Sequence, residues 1–163
     1  MPELFGELLD ADAAKAWRER QRADGKRVVF TNGVFDVLHA GHVEYLAWAR
    51  AQGDALIVGL NGDASVRAIK GEKRPIVPFT ERALLLRALR SVDAVVEFGE
   101  RTPEALLERL RPDVHVKSAQ YREEDLPERD VVLAHGGVVR LAPHREGRST
   151  TDVIGEIVAR YGS

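Results

Sequence analysis

Hydrophobic positions along the chain follow two alternating patterns. Short apolar runs are separated by longer segments whose apolar residues recur every three or four positions. Residues 10–24 read as a helix with Ala13, Ala14, Ala16 and Trp17 on a weakly apolar face, stopped by Gly25. "RVVFTN" reads as a buried strand and "GHVEYLAWARAQGD" as a helix stopped at Gly53. "ALIVGLN" reads as a second strand, apolar on both faces as parallel sheets require. Residues 28–60 therefore form one βαβ unit. "DASVRAIK" is a short helix and "KGEKRPIVPFT" a polar loop. "ERALLLRALRSV" is a helix with Leu84, Leu85, Ala88, Leu89 and Val92 on its apolar face. "DAVVEF", "DVHVK" and "VVRLA" are further strands. "TPEALLERLR" is a helix with Thr102 as N-cap and Pro103 in its first position. Residues 123–135 carry a helix interrupted at Pro127. "STTDVIGEIVARYG" closes the chain as a helix with Val153, Ile154, Ile157, Val158 and Tyr161 on one face.

Five strands alternating with helices predict an α/β, Rossmann-like, doubly wound parallel sheet. The 163 residues suit a single domain, with an N-terminal helix in 1–25 and a core in 26–163. A formal charge of −2 argues against a bulk nucleic-acid binder. No apolar run is long enough to span a membrane, and the charged N-terminus has no signal-peptide core. Cysteine is absent, which excludes disulfides and thiolate metal sites and fits a cytoplasmic protein.

Ligands of doubly wound sheets bind at the carboxyl ends of the strands, where the strand order reverses. The first strand end offers Thr31, Asn32, Gly33, Phe35, Asp36, His39 and His42; the second offers Asn61, Gly62 and Asp63. Later ends offer Lys117, Ser118, Ala119 and Gln120, then residues 144–151, "HREGRSTT". The set is rich in donors and cations, as an anion site requires. Neither a dinucleotide G-x-G-x-x-G nor a P-loop is present. His39 and His42 instead lie on one face of a helix's first turn, where unpaired N–H groups and the dipole attract phosphate. Gly33 and Gly41 let backbone and ligand approach closely. A pair of histidines is more often surface polarity or a cap, and Ser149 with Asp152 is also a capping pattern. Lys70, Lys73, Arg74 and Arg82 read equally as a solvated basic loop. A zinc site is not expected, because no third ligand stands at a suitable spacing.

The conjunction of these motifs carries more. "GVFDVLHAGH" resembles the G-x-F-D-x-x-H-x-G-H signature of the cytidylyltransferase-like nucleotidyltransferases. "LNGDASVRAIKG", "RPIVPFTER", "LRSVDAVV" and "EGRSTT" extend the resemblance over residues 25–160, and within the family to the adenylyltransferase domains of ADP-heptose synthases. The resemblance implies the HIGH-type nucleotidyltransferase fold. It implies phosphate-contacting, catalytic roles for His39, His42 and Lys70. Nucleotide contacts are implied for Thr31, Asn32, Gly33, Phe35, Gly41, Arg82, Lys117, Ser149, Thr150 and Thr151, and substrate contacts for Asp36, Asn61, Asp63 and Arg74. The implied reaction moves AMP from ATP, accompanied by Mg²⁺, to a sugar 1-phosphate such as D-glycero-β-D-manno-heptose 1-phosphate. The implied partners are a nucleoside triphosphate and a sugar or polyol phosphate, and the resemblance admits a homodimer. A CTP-dependent enzyme acting on glycerol 3-phosphate and a non-catalytic nucleotide sensor are the rivals. Where the heptose enzymes carry K-G-G-D-Y, this chain has Lys117, Ser118, Ala119, Gln120 and Tyr121.

Overall fold

The computed structural model describes residues 4–144 and 149–163. Six strands form one wholly parallel sheet: β1 (Glu7–Leu9), β2 (Val28–Gly33), β3 (Ala55–Asn61), β4 (Ala94–Phe98), β5 (Val114–Ser118) and β6 (Val138–Ala142). Their order across the sheet is β1-β4-β3-β2-β5-β6. β2 pairs with β3 in the register Val28↔Ala55 through Gly33↔Leu60, and on its other side with β5 through Val29↔Val114 and Phe30↔His115. The order reverses between β2 and β5. The carboxyl ends of these two strands therefore bound the crevice where such sheets bind ligands.

Helices cover both faces. α1 (Ala11–Ala23), α5 (Glu104–Leu110) and α6 (Arg129–Ala134) lie over one face, where Trp17, Leu107 and Val132 meet Phe30, Ile57 and Val96. α2 (Ala40–Arg50) and α4 (Phe79–Arg87) lie over the other, where Leu46, Ala83 and Leu86 meet Val29, Leu56, Val58 and Val95. All seven residues of β3 are buried, because the strand is central and covered on both faces. α3 (Asp63–Lys70) and α7 (Thr150–Tyr161) complete the set. Among the described residues, no helix is long and apolar enough to cross a membrane.

The sheet has one strand more than expected. β1 is three residues long, too short to show an alternation, and it is fixed by pairing Glu7, Leu8 and Leu9 with Ala94, Val95 and Val96. α4 differs more. It ends at Arg87, so the helical spacing carried through Val92 does not hold, and Leu84 and Leu85 are 48% and 45% exposed. Its buried face is Arg82, Ala83 and Leu86, with an arginine where a polar residue was expected to face water. In α1, Ala16 is exposed and Arg18 is buried. α5 starts one residue later than expected, with Pro103 at the cap position and no side-chain cap from Thr102. The segment expected to be one interrupted helix is a 3₁₀ turn, Glu123–Asp125, and the separate α6. Gly53 does not cap α2, whose C-cap is Ala51. A Cβ at Gly53 would meet Arg27 O at 2.7 Å and Val29 Cγ2 at 2.8 Å, so that glycine serves close packing against β2.

Candidate active site

The chain leaves β2 at Gly33 and enters α2 at Ala40, and His39 is the N-cap of that helix. The His39 Nδ1 accepts from the Gly41 amide at 3.1 Å, and the His42 Nδ1 accepts from the His39 amide at 3.3 Å. Each histidine thus satisfies an amide the helix leaves unpaired. The same bonds assign the tautomers. An Nδ1 that accepts carries no proton, so each neutral ring keeps its proton on Nε2 and presents a donor there. The rings stack, with centroids 3.8 Å apart and planes 26° from parallel. Burial, and next the like charge of His39, push the His42 pKa down to about 4, against the opposing pull of Asp36. His42 is therefore neutral near pH 7.

Phe35 lies behind this pair. Its ring meets that of His42 edge-on with centroids 5.3 Å apart, and only 8% of the residue is exposed. Gly33 makes this possible, since a Cβ there would stand 2.9 Å from the Phe35 ring. Phe35 was expected to touch nucleotide; its contact here is with the catalytic candidate His42. Asn32 Oδ1 is buried at the end of β2 with no hydrogen-bond partner. An acceptor in that position suits a donor group on a ligand. The side chain of Thr31, expected to contact nucleotide, lies in the core. It is fully buried, and its hydroxyl bonds Tyr45 Oη at 2.7 Å and Val116 O at 2.9 Å, joining β2 to α2 and β5.

Five residues expected to bind ligand make bonds within the protein around the loop between α3 and α4. The Asp36 carboxylate has no exposed surface and accepts from Arg74 Nε at 2.7 Å, Ile76 N at 2.8 Å and Val77 N at 2.9 Å. Burial pushes its pKa up, but the two backbone bonds and Arg74 outweigh burial, and the net shift is down. Asp63 Oδ1 accepts from Phe79 N at 2.9 Å and Arg82 Nη2 at 2.7 Å. Asn61 is buried and donates to Ser65 Oγ at 3.0 Å. Arg82, which is 1% exposed, donates to Val77 O, Val34 O and Asn61 O at 2.8–2.9 Å besides Asp63. Its fork is spent on three carbonyls and a carboxylate, so its expected nucleotide contact gives way to a strut joining β2, β3 and the loop. Of the residues expected to contact substrate, Asp36 and Arg74 clamp this loop, Asp63 ties its end to Arg82, and the Asn61 side chain bonds Ser65 Oγ and Glu100 O. Lys70 ends α3 and is exposed, and Gly71 follows at φ 98°, a conformation that favours glycine.

Across the crevice, Lys117 near the end of β5 lies 3.7 Å from Glu128 Oε1 and 5.2 Å from the centre of the Tyr121 ring. Glu128 also meets His115 Nε2 at 3.1 Å, with both side chains almost fully buried. Burial lowers the His115 pKa and outweighs the nearby carboxylate. Burial raises the Glu128 pKa, but the His115 bond and the Lys117 charge outweigh it and leave it lowered. Lys117 is lowered, by burial first. Sequence reasoning missed Glu128 and His115. One is a glutamate after a proline and the other lies inside an apolar strand, so neither announced itself. Residues 118–121 form a tight turn, with Tyr121 N on Ser118 O at 3.0 Å and Ala119 N on Ala142 O at 2.8 Å. Neither Ser118 nor Ala119 has positive φ, so replacing the family's glycines causes no backbone strain. Ser149 caps α7 by accepting from Asp152 N at 3.1 Å, Thr150 Oγ1 donates to Asp36 O at 2.6 Å, and Thr151 is exposed. Arg145, Glu146, Gly147 and Arg148 lie outside the described residues.

A parallel sheet with a histidine-capped helix at its switch point defines a nucleotidyltransferase-type nucleotide fold. Residues 30–156 match the family described as cytidylyltransferase-like, and the chain belongs to that family of nucleotidyltransferases. The bifunctional protein HldE of Geobacter sulfurreducens is 53% identical over 142 residues, covering 87% of this chain and 29% of the relative. HldE of Geotalea uraniireducens is 48% identical over 162 residues, 99% of this chain and 33% of the relative. The chain thus spans about a third of the length of these curated relatives. Among solved structures, the lipopolysaccharide core biosynthesis protein of Thermoplasma volcanium superposes with a TM-score of 0.61 at 27% identity, covering 74% of this chain and all of that one. The pantoate-beta-alanine ligase of Francisella tularensis, at TM-score 0.59 and 13% identity, covers 95% of this chain and 77% of its own, and shares the fold.

Proposed function

We propose that this chain is an adenylyltransferase that transfers AMP from ATP to D-glycero-β-D-manno-heptose 1-phosphate, giving ADP-heptose and pyrophosphate. The observation that carries the transfer chemistry is the stacked histidine pair, whose Nδ1 atoms are both occupied by helix amides. With each Nδ1 accepting, a neutral ring carries its proton on Nε2, a group whose chemistry suits donation to a phosphate oxygen. The choice of sugar rests on relatives at 48–53% identity that bear the HldE name, and on a structural neighbour named for lipopolysaccharide core biosynthesis.

A phosphate oxygen of the sugar attacks the α-phosphorus of ATP. A new P–O bond forms, the bond from the α-phosphorus to the bridging oxygen breaks, and its electrons leave with pyrophosphate. The attacking oxygen is already anionic near pH 7, so no general base is required. The protein positions two anions and neutralises charge on the phosphates in flight. His39 and His42 donate to these oxygens, and Lys70 and the start of α7 add cationic and N–H character. Asn32 Oδ1 accepts from a donor group of the nucleotide or sugar. Mg²⁺, when bound with the triphosphate, would supply neutralisation of charge on the phosphate oxygens; among the described residues no three His, Cys, Asp or Glu side chains are grouped to hold an ion.

Pyrophosphate release tests this, with ATP and CTP each crossed against the heptose 1-phosphate and glycerol 3-phosphate. Turnover with ATP and the heptose phosphate alone is the expected result. Turnover confined to CTP, or to glycerol 3-phosphate, replaces the assignment with a cytidylyltransferase of polyol phosphates. Nucleotide binding without pyrophosphate from any pair replaces it with a sensor.

A further inference from the structure

Asp36 stands between two residues with left-handed backbones, Phe35 at φ 48° and Val37 at φ 49°. Val37 is β-branched and crowded in that conformation, so the turn does not hold itself. Strain of this kind persists only where the surroundings over-determine it. Asp36 supplies that constraint from both ends of the residue. Its carboxylate gathers Arg74 and the amides of Ile76 and Val77, and its carbonyl accepts the Thr150 hydroxyl. These donors come from segments 38–41 and 114 positions further along the chain. The turn so fixed leads, three residues on, into the His39 cap. With no exposed side-chain surface, Asp36 does not reach a substrate itself.

We propose that Asp36 is a positioning residue, which locks the left-handed turn ahead of His39 and His42 by clamping the 74–77 loop with its carboxylate and the first turn of α7 with its carbonyl. The proposal rests on the nucleotidyl-transfer reading above. One residue thereby sets the relative placement of the histidines, the loop that begins beside Lys70, and the helix start at 149–151. Freeing the carboxylate unclamps the loop directly. It also releases the turn, because the left-handed residues on either side lose their restraint.

The test pairs Asp36→Asn with Arg74→Met. Asparagine keeps the shape, but its NH₂ cannot accept from a backbone amide, so only part of the clamp survives. Steady-state kinetics are read well below the unfolding midpoint, beside amide hydrogen exchange on the unliganded proteins. In Asp36→Asn, kcat is expected to fall about a hundredfold, as for reacting groups displaced by an ångström. In Arg74→Met, which removes one bond of three, the KM for nucleotide is expected to rise about tenfold with a smaller change in kcat. Exchange should quicken at 76–77 in both variants, and in Asp36→Asn the change should spread to 39–42 and 150–153. A lower midpoint with kcat, KM and exchange at 39–42 unchanged would make Asp36 a stability residue alone and overturn the proposal. If Asp36→Asn does not fold, Arg74→Met decides, and an unchanged KM overturns it. Wild-type protein that turns over no substrate pair sinks the transfer reading, whereas exchange at 39–42 still reports whether Asp36 holds the turn.

Discussion

The His39 and His42 rings stack with centroids 3.8 Å apart, and each Nδ1 accepts a backbone amide of the helix turn they cap. Two imidazolium cations cannot share that spacing cheaply. The pair therefore stays neutral in at least one member, and burial together with the like charge of His39 makes His42 that member.

His42 should titrate at about 4 in wild-type protein, followed by its imidazole proton resonance. The unfolded chain binds this proton at about 6.5, so between that pH and about 4 the unfolded state holds more protons than the folded one. Stability rises with pH through this window and is level above it. The contribution is on the order of 3 kcal/mol at most, lost on acidification. In His39→Ala the like charge disappears and the His42 value should rise, but only part of the way, because burial, the larger cause, remains. A His42 resonance titrating near 6.5 in wild-type protein would contradict the stacked, desolvated geometry.

His39→Asn separates the two tasks of that residue. Asparagine is a good N-cap, so the side chain still accepts from the helix amides, but it has no Nε2 donor in the imidazole's place. Thermal unfolding should move by less than about 0.5 kcal/mol, whereas kcat should fall about a hundredfold for loss of one phosphate donor. His39→Ala should lose both, with a further stability cost of about 1 kcal/mol. Equal kcat for His39→Asn and wild type would reduce His39 to a cap.

Arg82→Lys distinguishes a strut from a ligand. An ammonium cannot match a fork that meets Val34 O, Asn61 O, Val77 O and Asp63 together. Urea denaturation should show a loss of about 2 kcal/mol, and Arg82→Met about 3 kcal/mol or more, because buried carbonyls are left without donors. A nucleotide ligand at this position would give the reverse result, with stability kept and only the KM for ATP raised.

The arginine also marks where sequence patterns stop being informative. β2, β3 and α3 were legible almost to the residue, since each combines an apolar period with a clear start or stop, and "DASVRAIK" and "VVRLA" match α3 and β6 end to end; α2 was legible at its start but ends at Arg50, short of Gly53. The histidine motif was legible because a strand end, two histidines and a helix start follow one another locally. What escaped depends on partners distant in sequence. Arg82 faces inward because carbonyls at 34, 61 and 77 converge on it, and Leu84 and Leu85 face outward as a result of the same helix rotation. Asp36, Asp63 and Arg74 carry charges that a sequence assigns to a substrate, yet folding spends them on one another and on the loop. Three residues of β1 make sense only beside β4.

Glu128 is the case where no sequence signal existed, and its contribution is open to direct measurement. Its carboxylate bonds His115 at 3.1 Å and lies 3.7 Å from Lys117. His115 stays neutral, since burial disfavours its cation, so the charge that Glu128 balances is that of Lys117. Glu128→Gln keeps the shape and one bond to His115 but leaves the lysine without its counter-ion. Lys117 is partly open to solvent, with 15% of its side chain exposed, so the cost should stop short of a fully buried orphan charge, at about 1–3 kcal/mol by urea denaturation. Glu128→Ala, which also strips the imidazole, should cost about 3–5 kcal/mol. Lys117 should then deprotonate at lower pH, since the raising effect of the carboxylate is gone while burial remains. If Lys117 holds a phosphate of either substrate, Glu128→Gln should also shift the alkaline limb of kcat/KM to lower pH. A variant with lowered stability and an unmoved alkaline limb would confine this trio to the architecture of β5 and α6.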